Sequence, residues 1–147
     1  MEDRALVDLV PAREVLAAAE LWIGTPWHPG AAVRGTGCDC VGLIRGVLRD
    51  VTGRVIPAPP WMPDWASAQA EPLIEAAREW LVPAPPGAAQ AGDIVTIRIG
   101  HLRAAHAGIL TLDGGLIHAT ERRGVVRVRS LPGKGITTAW RIPAGEV

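Results

Sequence analysis

The sequence predicts an α+β domain in which helices from the N-terminal half pack on an antiparallel sheet from the C-terminal half. Apolar residues recur at helical spacing in the first half of the chain, whereas the last third consists of short segments with β-branched or alternating apolar residues. Helices that precede strands in this way favour an α+β domain over alternating parallel strands and helices. The chain is long enough for one core, so residues 1–147 are expected to form a single domain.

Two helices are predicted before the middle of the chain. Residues 11–23, PAREVLAAAELWI, contain helix formers throughout, and Gly24 is placed to end this helix. A glycine-rich loop follows. The second helix is predicted to begin near Cys40 and to end before Gly53. Its apolar side consists of residues at helical spacing: Leu43, Ile44, Val47, Leu48 and Val51.

A third helix and five strands are predicted in the remainder of the chain. The helix is expected over residues 71–81, between two proline-rich connections, VIPAPPWMPDW and VPAPPGAAQAG, that are expected to lack regular structure. Five later segments are short and contain β-branched or alternating apolar residues, as strands do, and they are separated by Gly, Asp or Pro. These segments are DIVTIRI, AHAGILTL, GLIHAT, VVRVRS and TTAWRI.

The charge balance and the N-terminus exclude several classes of protein. Basic and acidic side chains number 15 each, so no excess of positive charge favours binding to nucleic acid. No apolar run approaches the roughly 18 to 20 residues that span a bilayer, so no membrane insertion is expected. The start MEDRALVDLV carries acids and lacks a basic segment followed by an apolar run, unlike a secretory signal. Synthesis in the cytoplasm without a signal peptide is therefore expected.

The two cysteines are Cys38 and Cys40, which are too close together to form a useful disulfide and are expected to be free thiols. A cysteine in the first turn of a helix meets the partial positive charge of the helix N-terminus, which favours thiolate, the nucleophilic form. Gly42 is expected to leave this first turn accessible to a substrate. Cys40 is therefore a candidate nucleophile, and Cys38 is expected to pack or to line the cleft.

Two histidines in the predicted sheet are candidate partners for this thiol. His106 opens one strand, His118 lies in the next, and the sequence DGG between them indicates a hairpin. Side chains alternate between the two faces of a strand, so a two-residue loop would place the histidines on opposite faces and an odd loop would place them on one face. The odd loop is predicted, with Gly115 as the extra residue. His106 could then deprotonate Cys40 while His118 fixes the ring of His106.

Five segments together resemble the NlpC family of papain-like murein peptidases, and most closely the subgroup found with phage tails and gene transfer agents. In chain order they are WIGTPWHPGA, GCDCVGLIRGV, AGDIVTIRI, HAGIL and GLIHA. The resemblance implies a papain-like fold in which Cys40 is the nucleophile, His106 the general base and His118 the orienting residue. It also implies a cofactor-free hydrolase that cleaves peptide bonds of peptidoglycan stem peptides through an acyl-enzyme.

The same resemblance implies binding partners for the protein and a substrate cleft beside Cys40. The partners would be peptidoglycan stem peptides and the tail or hub proteins of a phage-like particle that incorporates the protein. The family usually has tyrosine where this chain has Trp27, and the hydroxyl of that tyrosine is able to help hold the oxyanion. Loss of one such donor can cost about 10²- to 10³-fold in rate, and whether Trp27 weakens activity in this way stays open at the level of sequence. Asp39 is expected to cap the second helix or to contact substrate, and His28 to line the cleft beside Trp27.

Other interpretations of these residues stay open at the level of sequence. A free cysteine such as Cys40 is, taken alone, more often a buried structural thiol. The two cysteines with His106 and His118 have the ligand types of a zinc site, although their spacing differs from that of zinc fingers. The fold could also serve a non-catalytic tail component, or a thiol acyltransferase or amidase that acts on a different bond. Trp61 and Trp65 are expected to cover the core, or else to form a wall of the substrate groove. His101 is expected at the surface, and a solvated face is expected for the arginines 122, 123, 127 and 129.

Overall fold

The computed structural model describes residues 7–58, 72–98, 104–131 and 135–145, which form three α-helices, a short 3₁₀ helix (Pro86–Ala88) and eight strands. In chain order the α-helices and strands are α1 (Ala12–Glu20), β1 (Ala32–Val33), β2 (Gly37–Cys38), α2 (Cys40–Thr52), α3 (Pro72–Trp80), β3 (Val82–Ala84), β4 (Ile94–Arg98), β5 (Ala104–Leu110), β6 (Leu116–Thr120), β7 (Gly124–Val128) and β8 (Ile136–Arg141). None of these helices is both long and apolar enough to cross a membrane.

A six-stranded antiparallel sheet forms the centre of the fold, with the strand order β3-β8-β4-β5-β6-β7. The helices pack on one face of this sheet. The helices contact the sheet through a cluster of buried apolar side chains, which includes Val15, Leu43, Val47, Ile94, Ile109, Ile117 and Trp140. A second cluster, formed by Val95, Ile97, Leu110, Leu116 and Ala139, covers the other face. The predicted α+β class, with N-terminal helices on a C-terminal antiparallel sheet, is confirmed.

Helix α2 begins and ends where the sequence predicts. Asp39 is its N-cap, and Gly53, with a φ of 77°, is its C-cap in the left-handed conformation. Helix α1 ends three residues before its predicted end at residue 23, because the backbone tightens into bonds of the i to i+3 type after Glu20. This turn directs Trp22 into the core, where the absence of a side chain at Gly46 makes room for its ring.

Three short strands lie where connections without regular structure were predicted. Strands β1 and β2 pair within the loop that precedes Cys40, and at two residues each they are too short to show a period. Strand β3 lies in the second proline-rich connection and pairs only with β8, at the edge of the sheet. Pro83 is tolerated there because an edge strand bonds to a neighbour on one side only. Helix α3 agrees with its prediction to within one residue at each end.

The loop before Cys40 is bonded to the start of β7. The N–H of Gly24 donates to the carbonyl of Val125, and the N–H of Val125 donates to the carbonyl of Thr25, both at 2.9 Å. Gly124 permits this approach, because a Cβ there would lie 2.3 Å from the Thr25 oxygen. These bonds fix the loop that carries Trp27 against the sheet.

The hairpin between β5 and β6 has the predicted odd loop, so His106 and His118 lie on one face of the sheet. Leu110 pairs with Leu116, the N–H of Thr111 donates to the carbonyl of Gly115, and Gly114 is left-handed with a φ of 80°. The loop is therefore 112–114, a common three-residue arrangement. The prediction that Gly115 is the extra residue was wrong. Gly115 pairs with Thr111, and a Cβ on it would clash with the backbone of β7.

Candidate active site

Cys40 is the first residue of α2, and its thiol lies against β5. The residue is partly exposed. Backbone N–H groups of Ala107, Val41 and Cys40 itself are directed at the sulfur. The pairing of β5 with β6 covers Ile109 and Leu110 only, so Ala107 lies beyond the paired stretch. The structure thus places the predicted nucleophile beside the residue that follows His106.

His106 and His118 form a hydrogen-bonded pair across β5 and β6. Nε2 of His106 lies 2.7 Å from Nδ1 of His118, with the ring planes at 73°. His118 is 6% exposed and His106 is half-buried. Gly108 lies between His106 and Leu110 on this face, and a Cβ there would come within 2.8 Å of the Ile117 carbonyl oxygen. A glycine at this position therefore lets the two strands approach closely enough for the rings to meet.

Burial sets the protonation of the thiol and the imidazole. Protein atoms surround the Cys40 sulfur and, with the charge of Asp39, raise the pKa of this thiol to about 11, although the three N–H groups lower it. Burial, and to a smaller extent His118, lowers the pKa of His106 to about 4. At neutral pH the pair is accordingly a thiol and a neutral imidazole. The N–H groups at the start of the helix lower the pKa of this thiol, as predicted from sequence, but burial and the charge of Asp39 outweigh them.

His118 is also held neutral. Burial first, and then the charge of Arg123, lower the pKa of His118. A hydrogen bond between two neutral imidazoles has one donor and one acceptor, so the tautomer of His106 fixes that of His118. Arg123, assigned from sequence to a solvated face, is exposed as predicted but acts on the site through its charge.

Asp39 uses both carboxylate oxygens within the protein. Oδ1 accepts from the N–H of Gly42 and Oδ2 from the N–H of Gly30, each at 2.7 Å. The capping role is confirmed, while the predicted contact with substrate stays a prediction. The expectation that Gly42 leaves the first turn open was wrong. The backbone of Ala31 fills that space, since its oxygen lies 1.8 Å from where a Cβ of Gly42 would be.

Comparison with known proteins assigns this arrangement to a family. The NlpC/P60 family model matches residues 24–143, which contain Cys40, His106 and His118. The chain belongs to the NlpC/P60 family. A comparison with the curated proteins found no significant match.

Several solved NlpC/P60 structures resemble the chain. The NlpC/P60 domain of the peptidoglycan hydrolase SagA is 25% identical, with a TM-score of 0.57 over 89% of this chain and 98% of that domain. An NlpC/P60 family protein from Bacillus cereus is 20% identical, with a TM-score of 0.63 over 93% of this chain and 42% of that protein. The peptidoglycan hydrolase RipB from Mycobacterium tuberculosis is 19% identical, with a TM-score of 0.57 over 92% of this chain and 65% of RipB. The chain thus spans less than half of the Bacillus cereus protein.

The residues expected to line the NlpC/P60 cleft lie close to Cys38. Trp27 is half-buried, packs against the helix-side core and forms a parallel bridge with Cys38. The N–H of His28 donates to the Cys38 carbonyl at 3.0 Å, and its exposed side chain lies over Gly37. Cys38 is fully buried, as expected for a packing residue. Substrate contacts of Trp27 and His28 stay predictions, and Trp61, Trp65 and His101 lie outside the described residues.

Sequence reasoning missed two features of the site. These are the backbone N–H of Ala107 and the close approach at Gly108. An isolated glycine within a strand pattern is a known signal of close backbone approach, so Gly108 was detectable. No three His, Cys, Asp or Glu side chains converge as metal ligands within the described parts of the chain.

Proposed function

We propose that the protein is a peptidoglycan hydrolase that cleaves stem-peptide bonds with Cys40 as nucleophile, His106 as general base and His118 as the residue that positions His106. The observation that carries this proposal is the placement of the Cys40 thiol beside residue 107 together with the 2.7 Å bond between the two histidines. Membership of the NlpC/P60 family supports it, and two similar structures, SagA and RipB, belong to peptidoglycan hydrolases.

The reaction begins from a thiol and a neutral imidazole. Nε2 of His106 engages His118, so Nδ1 is the nitrogen that accepts the thiol proton. This requires the proton of neutral His106 on Nε2, from which it is donated to Nδ1 of His118. The sulfur attacks the peptide carbonyl as its proton moves to His106, and the imidazolium then protonates the leaving amine. Water, deprotonated by His106, hydrolyses the thioester and restores the thiol.

The oxyanion of this reaction would rest on backbone donors at the start of α2. The N–H of Gly42 is committed to Asp39, whereas those of Cys40 and Val41 are directed at the sulfur, where the reacting carbonyl must come. Trp27 stands where the family usually has tyrosine, and its indole N–H has a different reach from a hydroxyl. Slow turnover is therefore part of this proposal.

The proposed setting is a phage-like tail or a gene transfer agent particle. The resemblance of the five sequence segments to the peptidases of such particles supports this setting. The protein would be made in the cytoplasm, join tail or hub proteins during assembly, and open peptidoglycan locally when the particle meets a cell.

Digestion of purified sacculi tests the catalytic proposal. The intact protein is expected to release stem-peptide fragments, identified by mass spectrometry, and Cys40→Ala is expected to release none. Cys38→Ala is the matched control, because it removes a buried thiol that the mechanism does not use. If folded intact protein releases nothing, or if Cys40→Ala retains activity, the peptidase proposal fails, and a non-catalytic tail component becomes the better account.

A further inference from the structure

An apolar pocket of about 370 Å³ lies between α2, α3 and the helix-side face of the sheet. Its walls are mostly apolar side chains, among them Ile44, Leu48, Ile56, Leu73, Trp80 and Trp140. Its volume falls within the range of small-molecule sites, which are predominantly apolar. The proposed peptidase mechanism makes no use of this pocket.

The pocket is lined by two chain neighbours of the candidate catalytic residues. Val41 and Ala107 line the pocket, and both direct backbone N–H groups at the Cys40 sulfur. A molecule in the pocket would therefore contact the residues that follow Cys40 and His106 in the chain. A carbonyl attached to such a molecule would lie where the sulfur and these N–H groups converge.

Two of the polar side chains at the pocket, those of Thr96 and Arg45, form hydrogen bonds within the protein. The hydroxyl of Thr96 is bonded to the hydroxyls of Thr137 and Thr138, and Nε of Arg45 donates to the carbonyl of Ile56 at 2.9 Å. Glu75 and Glu79 also line the pocket and are exposed residues. A polar peptide would lose its bonds to water here without replacement, whereas an aliphatic chain needs none.

We propose that this pocket binds the aliphatic chain of an acyl ester whose carbonyl lies at Cys40, which gives the protein a second activity as an acyl esterase. The Cys40 sulfur forms a bond to the carbonyl carbon, and the ester C–O bond breaks. The thiol proton passes through His106 to the leaving alkoxide, which departs as an alcohol. Water then adds to the thioester, so that the fatty acid leaves and the thiol is restored.

Hydrolysis of p-nitrophenyl esters of increasing chain length tests the proposal. From acetate to decanoate, kcat/KM is expected to rise by up to about fourfold per added methylene until the pocket is full. Cys40→Ala is expected to abolish the enzymatic rate. Ala77→Phe places a ring in the pocket, and the ratio of decanoate to acetate hydrolysis is expected to fall to near one. Ala17→Phe, at an exposed position of α1, is the matched control and should keep the wild-type ratio.

A binding measurement with decanoate tests the proposal even if the Ala77→Phe variant does not fold. Titration of decanoate into Cys40→Ala protein should show saturable binding with a negative heat-capacity change, the signature of apolar burial, and should change the fluorescence of Trp80 or Trp140. Rates independent of chain length, an unchanged ratio in folded Ala77→Phe, or no saturable binding of decanoate would each overturn the proposal. Sacculus digestion plays no part in these measurements, so either activity can fail without the other.

Discussion

Gly108 and the carbonyl of Ile117 stand so close that a single added methyl group on Gly108 would lie 2.8 Å from the oxygen. The same methyl group would also meet the side chain of Leu116 at 2.8 Å. This contact couples the spacing of β5 and β6 to the bond between the two histidines. The hydrogen bond between the two histidines thus depends on a residue that has no side chain.

Gly108→Ala is expected to separate β5 from β6 and to weaken the bond between His106 and His118. Overpacking against backbone typically costs about 1 to 3 kcal/mol of stability, and peptidase activity should fall at least tenfold in the folded variant. Urea unfolding and sacculus digestion measure the two effects. Gly87→Ala is the control, since nothing lies within 4 Å of its added methyl group and it should match the intact protein. Unchanged activity of Gly108→Ala would contradict the coupling.

His118→Ala is expected to lower kcat with little change in KM, because His118 orients His106 and does not hold the substrate in the proposed mechanism. A loss on the order of 10²-fold is expected, at the lower end of the contribution of general acid–base catalysis. His118→Gln keeps a side-chain oxygen that can accept from Nε2 of His106, so it should recover part of the activity. Equal loss in both variants, or an effect on KM alone, would argue against a positioning role.

The pH dependence of kcat/KM follows from the neutral resting pair. His106 must be unprotonated to act as a base, so the rate should rise as pH increases through about 4 and then stay level through the neutral range. Because the Cys40 thiol has a pKa of about 11, its alkylation by iodoacetamide should increase with pH well above 9. Both rates are measurable on Cys38→Ala protein. A plateau of fast alkylation between pH 5 and 7 would instead indicate a preformed thiolate.

Two replacements of Asp39 distinguish the effect of its charge on the pKa of Cys40 from the effect of its capping hydrogen bonds on stability. Asp39→Ala removes the acceptors for Gly42 and Gly30, and the loss of the cap should cost about 1 to 2 kcal/mol. Asp39→Asn keeps an acceptor for Gly42 but removes the charge that raises the pKa of Cys40, so its alkylation profile should move to lower pH. A profile that does not move would show that burial alone sets the pKa. A large rise in KM for Asp39→Asn would support the predicted substrate contact.

Local patterns were enough to predict the elements of the site. The start of α2 at Cys40 follows from its apolar spacing, and the capping residues on either side are close in sequence. The shared face of the histidines follows from the parity of one hairpin loop. Strand β3 was missed because Pro83 is acceptable only at a sheet edge, which depends on β8, far away in the chain.

Features set by distant contacts could not be predicted in the same way. The pKa of Cys40 depends on how deeply the sulfur is enclosed when α2 meets β5, and the position of Cys40 in the sequence shows only the smaller, opposing effect of the helix N–H groups. The space above Gly42 looked open in the sequence because Ala31, which fills it, approaches only after β1 and β2 have paired. The three-residue loop 112–114 rather than 113–115 likewise reflects the contact of Gly115 with β7.

The hydrogen bonds of Gly24 and Thr25 to Val125 also protect the protein against aggregation through an open strand edge. Strand β7 ends the sheet, and an open strand edge is a template on which another chain can add a strand and begin an aggregate. Because the loop occupies both the N–H and the carbonyl of Val125, an incoming strand finds that part of the edge already taken. The loop that carries Trp27 therefore also protects part of the β7 edge of the sheet from pairing with another strand.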